Sequence, residues 1–213
     1  MIHIPSRVKT LPPVFYIAQR GEGHAPLAVA ARLPRGSGVI YRDYSAPDRA
    51  AYAAELAKLA RRRGLVLLIA GDAALARAVG ASGWHLPEHR LGRRPPPPPG
   101  GGLVTAAAHG RQAILRAARA GVDAVLLSPV FATRSHPAAR AIGPHRLARL
   151  LATAPLPVYA LGGIDAAHAR RLPPGLAGLA ALRAFADQKF RRVPRKSTPA
   201  RSMLSRPGAK RLL

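Results

Sequence analysis

The sequence predicts a small α/β fold, a (β/α)8 TIM barrel, on three observations. Short apolar runs alternate with helix-like segments about eight times between Val14 and Phe185, and that alternation points to a parallel sheet. The runs are almost wholly apolar, as in strands covered on both faces. The repeats fill roughly 175 residues, slightly under the usual lower size of ~200 for a barrel of this kind. A doubly wound open sheet is the competing arrangement.

Taken in order, residues 1–13 read as a loose leader. Val14–Ala18 is rich in aromatic and β-branched residues and reads as the first strand. A short helix over Ala25–Leu33 stops near Pro34, and Gly38–Arg42 is the second strand. Asp48–Arg63 carries an apolar face through Ala50, Ala53, Ala54, Leu56, Ala57, Leu59 and Ala60, with Gly64 placed as a C-cap. Leu65–Ala70 is the third strand, Ala73–Val79 a helix, and Gly83–Leu86 the fourth strand. Arg93, Arg94, five prolines and three glycines follow. Proline cannot continue a helix interior, so this segment is expected to be an exposed loop standing where a helix would be. Leu103–Ala107, the helix Gly110–Ala120, and Ala124–Leu127 come next. A long loop, Ser128–Gly143, leads to the helix Pro144–Thr153, with proline in its first turn. Val158 begins the seventh strand, Ala166–Leu172 is a helix, and Gly178–Ala181 is the eighth strand. The barrel is expected over residues 14–187, and residues 188–213 as a disordered basic tail.

Composition narrows the function classes. The 213 residues carry 34 Lys+Arg against 9 Asp+Glu, a net charge of +25, and no cysteine. Disulfides and cysteine metal sites are therefore excluded. No apolar run approaches the ~18 residues of a membrane span, and a cytoplasmic protein is the simplest expectation. The positive charge raises nucleic acid as a partner. Nine basic and no acidic residues lie in 188–213, leaving +16 for the rest. Aromatics are only 5%, which disfavours a base-stacking platform. The same charge serves anionic, phosphorylated small molecules, and these are the expected partners, with nucleic acid through the tail not the main role.

The candidate site follows from the fold, because barrel chemistry gathers where strands end. Those ends supply Arg42, Asp72, Glu88, His109, Thr133, His136, Gly162, Gly163 and Arg183. The Gly162–Gly163 pair closes an apolar strand just before a helix, leaving main-chain N–H groups without side-chain cover, in the region where barrels often seat a phosphate. Ordinary alternatives stand beside each. The glycines also suit a plain turn, Asp72 suits a helix N-cap, Arg42 and Glu88 suit a solvated rim, and His85 suits a satisfied core position.

Several stretches together resemble the thiamine phosphate synthase superfamily, which includes the TenI-type thiazole tautomerases. They are Ile69–Asp72, Gly83–Leu86, Ala107–His109, Ser128–Thr133, Ile142–Gly143 and Tyr159–Ile164, and the resemblance runs from about Val14 to Phe185. It implies a (β/α)8 barrel that joins a hydroxymethylpyrimidine diphosphate to a thiazole phosphate and releases diphosphate, with Mg2+ as cofactor. It further implies that Gly162, Gly163 and amides near Leu182 hold the thiazole phosphate. Gly143 would sit near the thiazole, Thr133 near the substrates, and Asp72, with Glu88 as a substitute second carboxylate, on Mg2+. The chain departs from the family pattern at several places. On the second strand, Gln-x-Arg-x-Lys is replaced by Ile40, Arg42 and Tyr44. The second metal-binding Asp falls at Arg90, a Ser at Ala107, and the loop Lys at His136. The phosphate half of the site thus looks kept and the diphosphate half eroded. His109 resembles the tautomerase's acid/base group, and imidazole suits proton transfer near neutral pH. Thiazole tautomerisation, or phosphate-ligand or nucleic-acid binding without catalysis, are the alternatives to synthase chemistry.

Overall fold

The computed structural model describes residues 9–21, 23, 25–92, 95–133 and 138–185. Eight parallel strands close into a barrel in sequence order: β1 (Val14–Ala18), β2 (Gly38–Tyr41), β3 (Val66–Ala70), β4 (Gly83–Leu86), β5 (Leu103–Ala108), β6 (Ala124–Leu127), β7 (Val158–Ala160) and β8 (Gly178–Ala181). Strand β1 pairs with both β2 and β8, which rules out the open sheet. Between them lie α1 (Pro26–Ala30), α2 (Arg49–Arg63), α3 (Ala73–Ala78), α4 (Arg111–Arg119), α5 (Pro144–Thr153) and α6 (Ala166–Ala169). No helix among the described residues is long and apolar enough to cross a membrane.

Alternation along the strands sorts the apolar side chains into two cores. Phe15, Ile17, Ile40, Leu68, Leu103, Leu126 and Tyr159 fill the barrel interior. Tyr16, Val39, Tyr41, Leu67, Ile69, Trp84, Val125 and Val158 point outward and meet the helices. With both faces covered, the strands have no polar side to display. Inside, Phe15 meets Tyr159 edge to face, with ring centroids 4.9 Å apart. Each such ring stabilises by roughly 1.5–3 kcal/mol through burial. A Cβ at Gly38 would strike the Phe15 ring, so glycine on β2 makes room for an aromatic on its neighbour.

Helix ends differ from the sequence expectation where proline follows. After α1, Arg32 and Leu33 donate to Val29 and Ala30 three residues back. The helix thus tightens into a turn before Pro34 instead of running to Leu33. After α6, Arg171 and Leu172 make the same three-residue closures ahead of Pro173, so that helix ends at Ala169. Between β4 and β5 there is no α-helix among the described residues, only 3-10 turns at Glu88–Arg90 and Pro99–Gly101. The proline segment leaves a cleft of about 310 Å3 between Asp72, Trp84, Arg90 and Pro95.

Residues 9–13 are not loose. Lys9 Nζ donates to Gly102 O (2.7 Å) and to Asp123 Oδ2 (2.8 Å), and Tyr159 Oη donates to Pro12 O (2.6 Å). Leu11 packs against the interior core. This segment stoppers the end of the barrel where the strands begin. Residues 188–213, expected as a disordered tail, lie outside the described residues, as does His136.

Candidate active site at the barrel mouth

The inward register of the strands places Gln19, Arg42, Asp72, His109, Gly163 and Leu182 around the C-terminal rim, each two residues beyond, or continuing, an inward-facing strand position. The rim divides into two halves built of different materials.

Over β7 and β8 the material is main chain. Gly162 and Gly163 have φ of +94° and +64°, a region that glycine enters without steric cost. The loop after β6 is strapped onto them. Val130 N–H donates to Leu161 O (2.9 Å), Phe131 N–H to Gly162 O (3.0 Å), and Ile142 and Gly143 N–H to Pro129 and Val130 O (2.9 Å each). A Cβ at Gly162 would lie 2.8 Å from Pro129 Cα, and one at Gly163 2.8 Å from Phe131 Cβ and closer still to Ala132 O. The glycines therefore serve close loop packing as well as the turn. Among the described residues, the amides of Gly162, Gly163 and Leu182 donate to no protein group. Gly143 differs, since its amide is spent on Val130 and its carbonyl accepts from Leu147 N. It begins α5 and braces the loop. Thr133 is half-buried at the end of the strapped loop. Asp165 accepts the His168 amide at 2.7 Å and caps α6.

Over β2 to β4 the material is side chain. Arg42 donates through Nε and Nη2 to Gln19 Oε1 (3.1 and 2.8 Å). Asp72 caps α3, its Oδ1 accepting Leu75 N–H at 2.8 Å, while Oδ2 accepts from Arg49 Nη1 at 3.1 Å. Arg49 also donates to Ala70 O at 2.7 Å, and Arg90 Nη1 donates to Gly71 O at 2.6 Å. Beneath them, inside the barrel, His85 Nδ1 lies 2.9 Å from Thr105 Oγ1. Burial, and secondarily the charge of Arg42, push the His85 pKa down to about 3. It is a neutral core histidine.

Glu88 ties the loop after β4 to the loop and helix after β5. Its Oε2 accepts both the backbone N–H of His109 (2.9 Å) and ring Nδ1 (2.6 Å), and its Oε1 accepts from Arg116 at 2.7 Å. A carboxylate only accepts, so Nδ1 carries a hydrogen, and in the neutral ring Nε2 is the acceptor. The His109 side chain is 58% exposed.

These contacts bear on Mg2+. The ion needs carboxylate oxygens turned toward one point in near-octahedral order. Both oxygens of Asp72 and both of Glu88 are taken by N–H or guanidinium donors, and an arginine, Arg90, stands beside Asp72 on Gly71. No three of His, Cys, Asp and Glu gather among the described residues. The expected assignment of Asp72 and Glu88 as metal ligands therefore does not fit. Asp72 is a helix cap paired with Arg49, and Glu88 is the partner of His109 and Arg116.

Sequence reasoning missed Gln19, Arg49 and Arg116. Gln19 was within reach of it, two residues past Ile17 in the inward register. Arg49 and Arg116 sit in helices, and nothing local marks their long reach back to the rim.

Known proteins resemble this chain in sequence and in fold. The family model described as thiamine monophosphate synthase (TMP-TENI) matches residues 16–185. A thiamine-phosphate synthase of Thiobacillus denitrificans is 37% identical over 166 residues, covering 75% of this chain and 79% of that protein. One from Chloroflexus aurantiacus is 33% identical over 157 residues, covering 70% and 71%. The solved structure of a thiamine phosphate pyrophosphorylase from Pyrococcus furiosus superposes with a TM-score of 0.66 at 22% identity, covering 84% of this chain and 90% of that one. A barrel matched in fold by that structure, and in sequence along nearly its whole strand-and-helix region, belongs to the thiamine monophosphate synthase family.

Proposed function

We propose that this chain is a thiamine-biosynthesis transferase of the thiamine phosphate synthase type, acting on small phosphorylated substrates at its barrel mouth. The observation that carries the reading is the set of unspent amides at Gly162, Gly163 and Leu182, the two glycines being held by positive φ and by the strapped loop. Preorganised N–H donors need no reorganisation to receive a phosphoryl group, and the loops after the seventh and eighth strands of a barrel commonly form such a site. A thiazole phosphate seated there extends its ring toward the centre of the mouth, past Thr133 and His109. Joining it to a hydroxymethylpyrimidine diphosphate forms a carbon–nitrogen bond and breaks the carbon–oxygen bond to diphosphate, which leaves with the electron pair. Negative charge then grows on the departing group, and cations facing it lower the barrier. That role is assigned to Arg42, whose guanidinium is steadied on Gln19 Oε1. At Asp72 and Glu88 the Mg2+ expected from the family resemblance would compete with the Arg49 and Arg116 guanidinium groups. Nucleic acid has no part in the proposed role, and the cytoplasmic setting expected from the sequence is kept with it.

The test is turnover of the two phosphorylated precursors, together with thermal protection by the thiazole phosphate alone. Product formation and a raised Tm are expected. Absence of both at high enzyme concentration would overturn the reading.

A second reading is favoured by one contact. Glu88 on Nδ1 of His109 fixes the tautomer that leaves Nε2 as a proton acceptor facing solvent at the mouth, which suits tautomerisation of a carboxythiazole phosphate. His109→Ala then abolishes that isomerisation, and an unchanged rate excludes it.

A further inference from the structure

The loop strapped over the glycine pair has a second fastening, made of stacked rings instead of main-chain hydrogen bonds. We propose that His168 is a positioning residue: through its stack on Phe131 it holds the loop after β6 against Gly163, and so sets how tightly the unspent amides grip a phosphoryl group. This rests on the reading of those amides as the thiazole-phosphate site.

Phe131 is the joint between loop and glycines. Its N–H donates to Gly162 O at 3.0 Å, and a Cβ at Gly163 would lie 2.8 Å from its own Cβ. The strap's hydrogen bonds reach Leu161 O and Gly162 O, and among the described residues none between main-chain groups runs from the loop to Gly163. There the loop is held by packing alone, and the Phe131 side chain decides how close it lies.

That side chain is held in turn by α6. Its ring lies face to face on the His168 imidazole, with centroids 4.2 Å apart and planes 20° apart. The Arg171 guanidinium is 5.9 Å from the same ring, at the edge of cation–π range. Aromatic stacking adds to what area burial supplies. The imidazole is itself fixed. Asp165 Oδ1 accepts His168 N–H at 2.7 Å. Asp165 Oδ2 lies 3.2 Å from Nδ1, within ion-pair distance though not aligned as a hydrogen bond. Arg171 N–H donates to His168 O at 3.0 Å. The turn from Gly162 to Arg171 therefore wraps Phe131, with glycines against its main chain and Cβ, and His168 and Arg171 against its ring. Preorganised donors are only as effective as their geometry is held, so loosening this ring stack loosens the amides.

Calorimetry on the full chain tests this with thiazole phosphate and the variants His168→Ala, His168→Phe and His168→Leu, with urea melts alongside. His168→Ala should weaken binding about five- to tenfold. His168→Phe keeps a flat ring and should stay within about twofold of the unmutated chain. His168→Leu fills space without stacking and should resemble His168→Ala. In turnover, His168→Ala should raise KM for thiazole phosphate and leave kcat unchanged. A merely structural role would make affinity follow the urea midpoint across the three variants and not the presence of a flat ring. Unchanged binding in His168→Ala, or full recovery in His168→Leu, would overturn the proposal. If the unmutated chain binds no thiazole phosphate, the substrate reading falls, and inorganic phosphate titrated into the same variants decides the stack. The same order of affinities then sustains it, and equal affinities or no binding sink it.

Discussion

The two halves of the barrel mouth receive negative charge by opposite means. Over β7 and β8 the donors are main-chain amides, and what the sequence must supply is shape: Gly162, Gly163 and a neighbouring loop that fills the space where their side chains would be. Over β2 to β4 the donors are side chains, and what the sequence must supply is partners: Gln19 for Arg42, Asp72 for Arg49, Gly71 O for Arg90. A backbone site tolerates almost no change at its glycines and is indifferent to charge nearby. A side-chain site depends instead on the charge of each residue, and at position 90 that is an arginine where the family pattern has an acid.

The largest expected effect breaks the backbone half. Gly163→Ala puts a methyl group against Ala132 O and Phe131 at a φ that L residues avoid. It should lower stability by about 2–3 kcal/mol and remove thermal protection by thiazole phosphate, while diphosphate binding in the folded variant persists. Urea melts and thermal shifts with each ligand check this.

Acid should distinguish the halves next. In the folded chain His85 holds a pKa of about 3, against ~6.5 unfolded, so below pH 6.5 the unfolded state takes a proton that the folded state refuses. Its contribution to stability is whole above ~6.5 and is lost as pH falls toward about 3, with a limiting slope of ~1.4 kcal/mol per pH unit. His85→Gln should flatten melts between pH 6.5 and 4.

Salt should then sharpen the contrast. Charged donors are screened and neutral amides much less so. Raising ionic strength roughly tenfold should weaken diphosphate binding at Arg42 several-fold more than thiazole-phosphate binding, as calorimetry would show.

The smallest effect concerns Asp72. Asp72→Ala removes the cap of α3 and should cost about 1 kcal/mol, or ~2–4 °C in Tm. Asp72→Asn, which still caps, should cost less. Neither should create a Mg2+ requirement.

How far the sequence carried the reader follows from the same contrast. The barrel was legible because each strand is a short apolar run covered on both sides, and the runs at Val14, Gly83, Ala124 and Gly178 begin and end where their residues say. The glycine pair was legible because backbone geometry leaves a mark on residue type. Side-chain partnership leaves no such mark. Asp72 reads equally as a cap, a metal ligand or an ion pair until Arg49 is seen 3.1 Å away. Glu88 and His109 are 21 residues apart in the chain and meet only because β4 and β5 are neighbours. The proline segment was recognised as a loop, but the cleft it leaves beside Trp84 depends on packing that no local pattern encodes.

The stopper formed by Lys9, Leu11 and Pro12 has a consequence for traffic through the enzyme. The interior above this segment is a packed core of Phe15, Ile17, Leu68 and Tyr159, so both reactants reach the site from the open mouth alone.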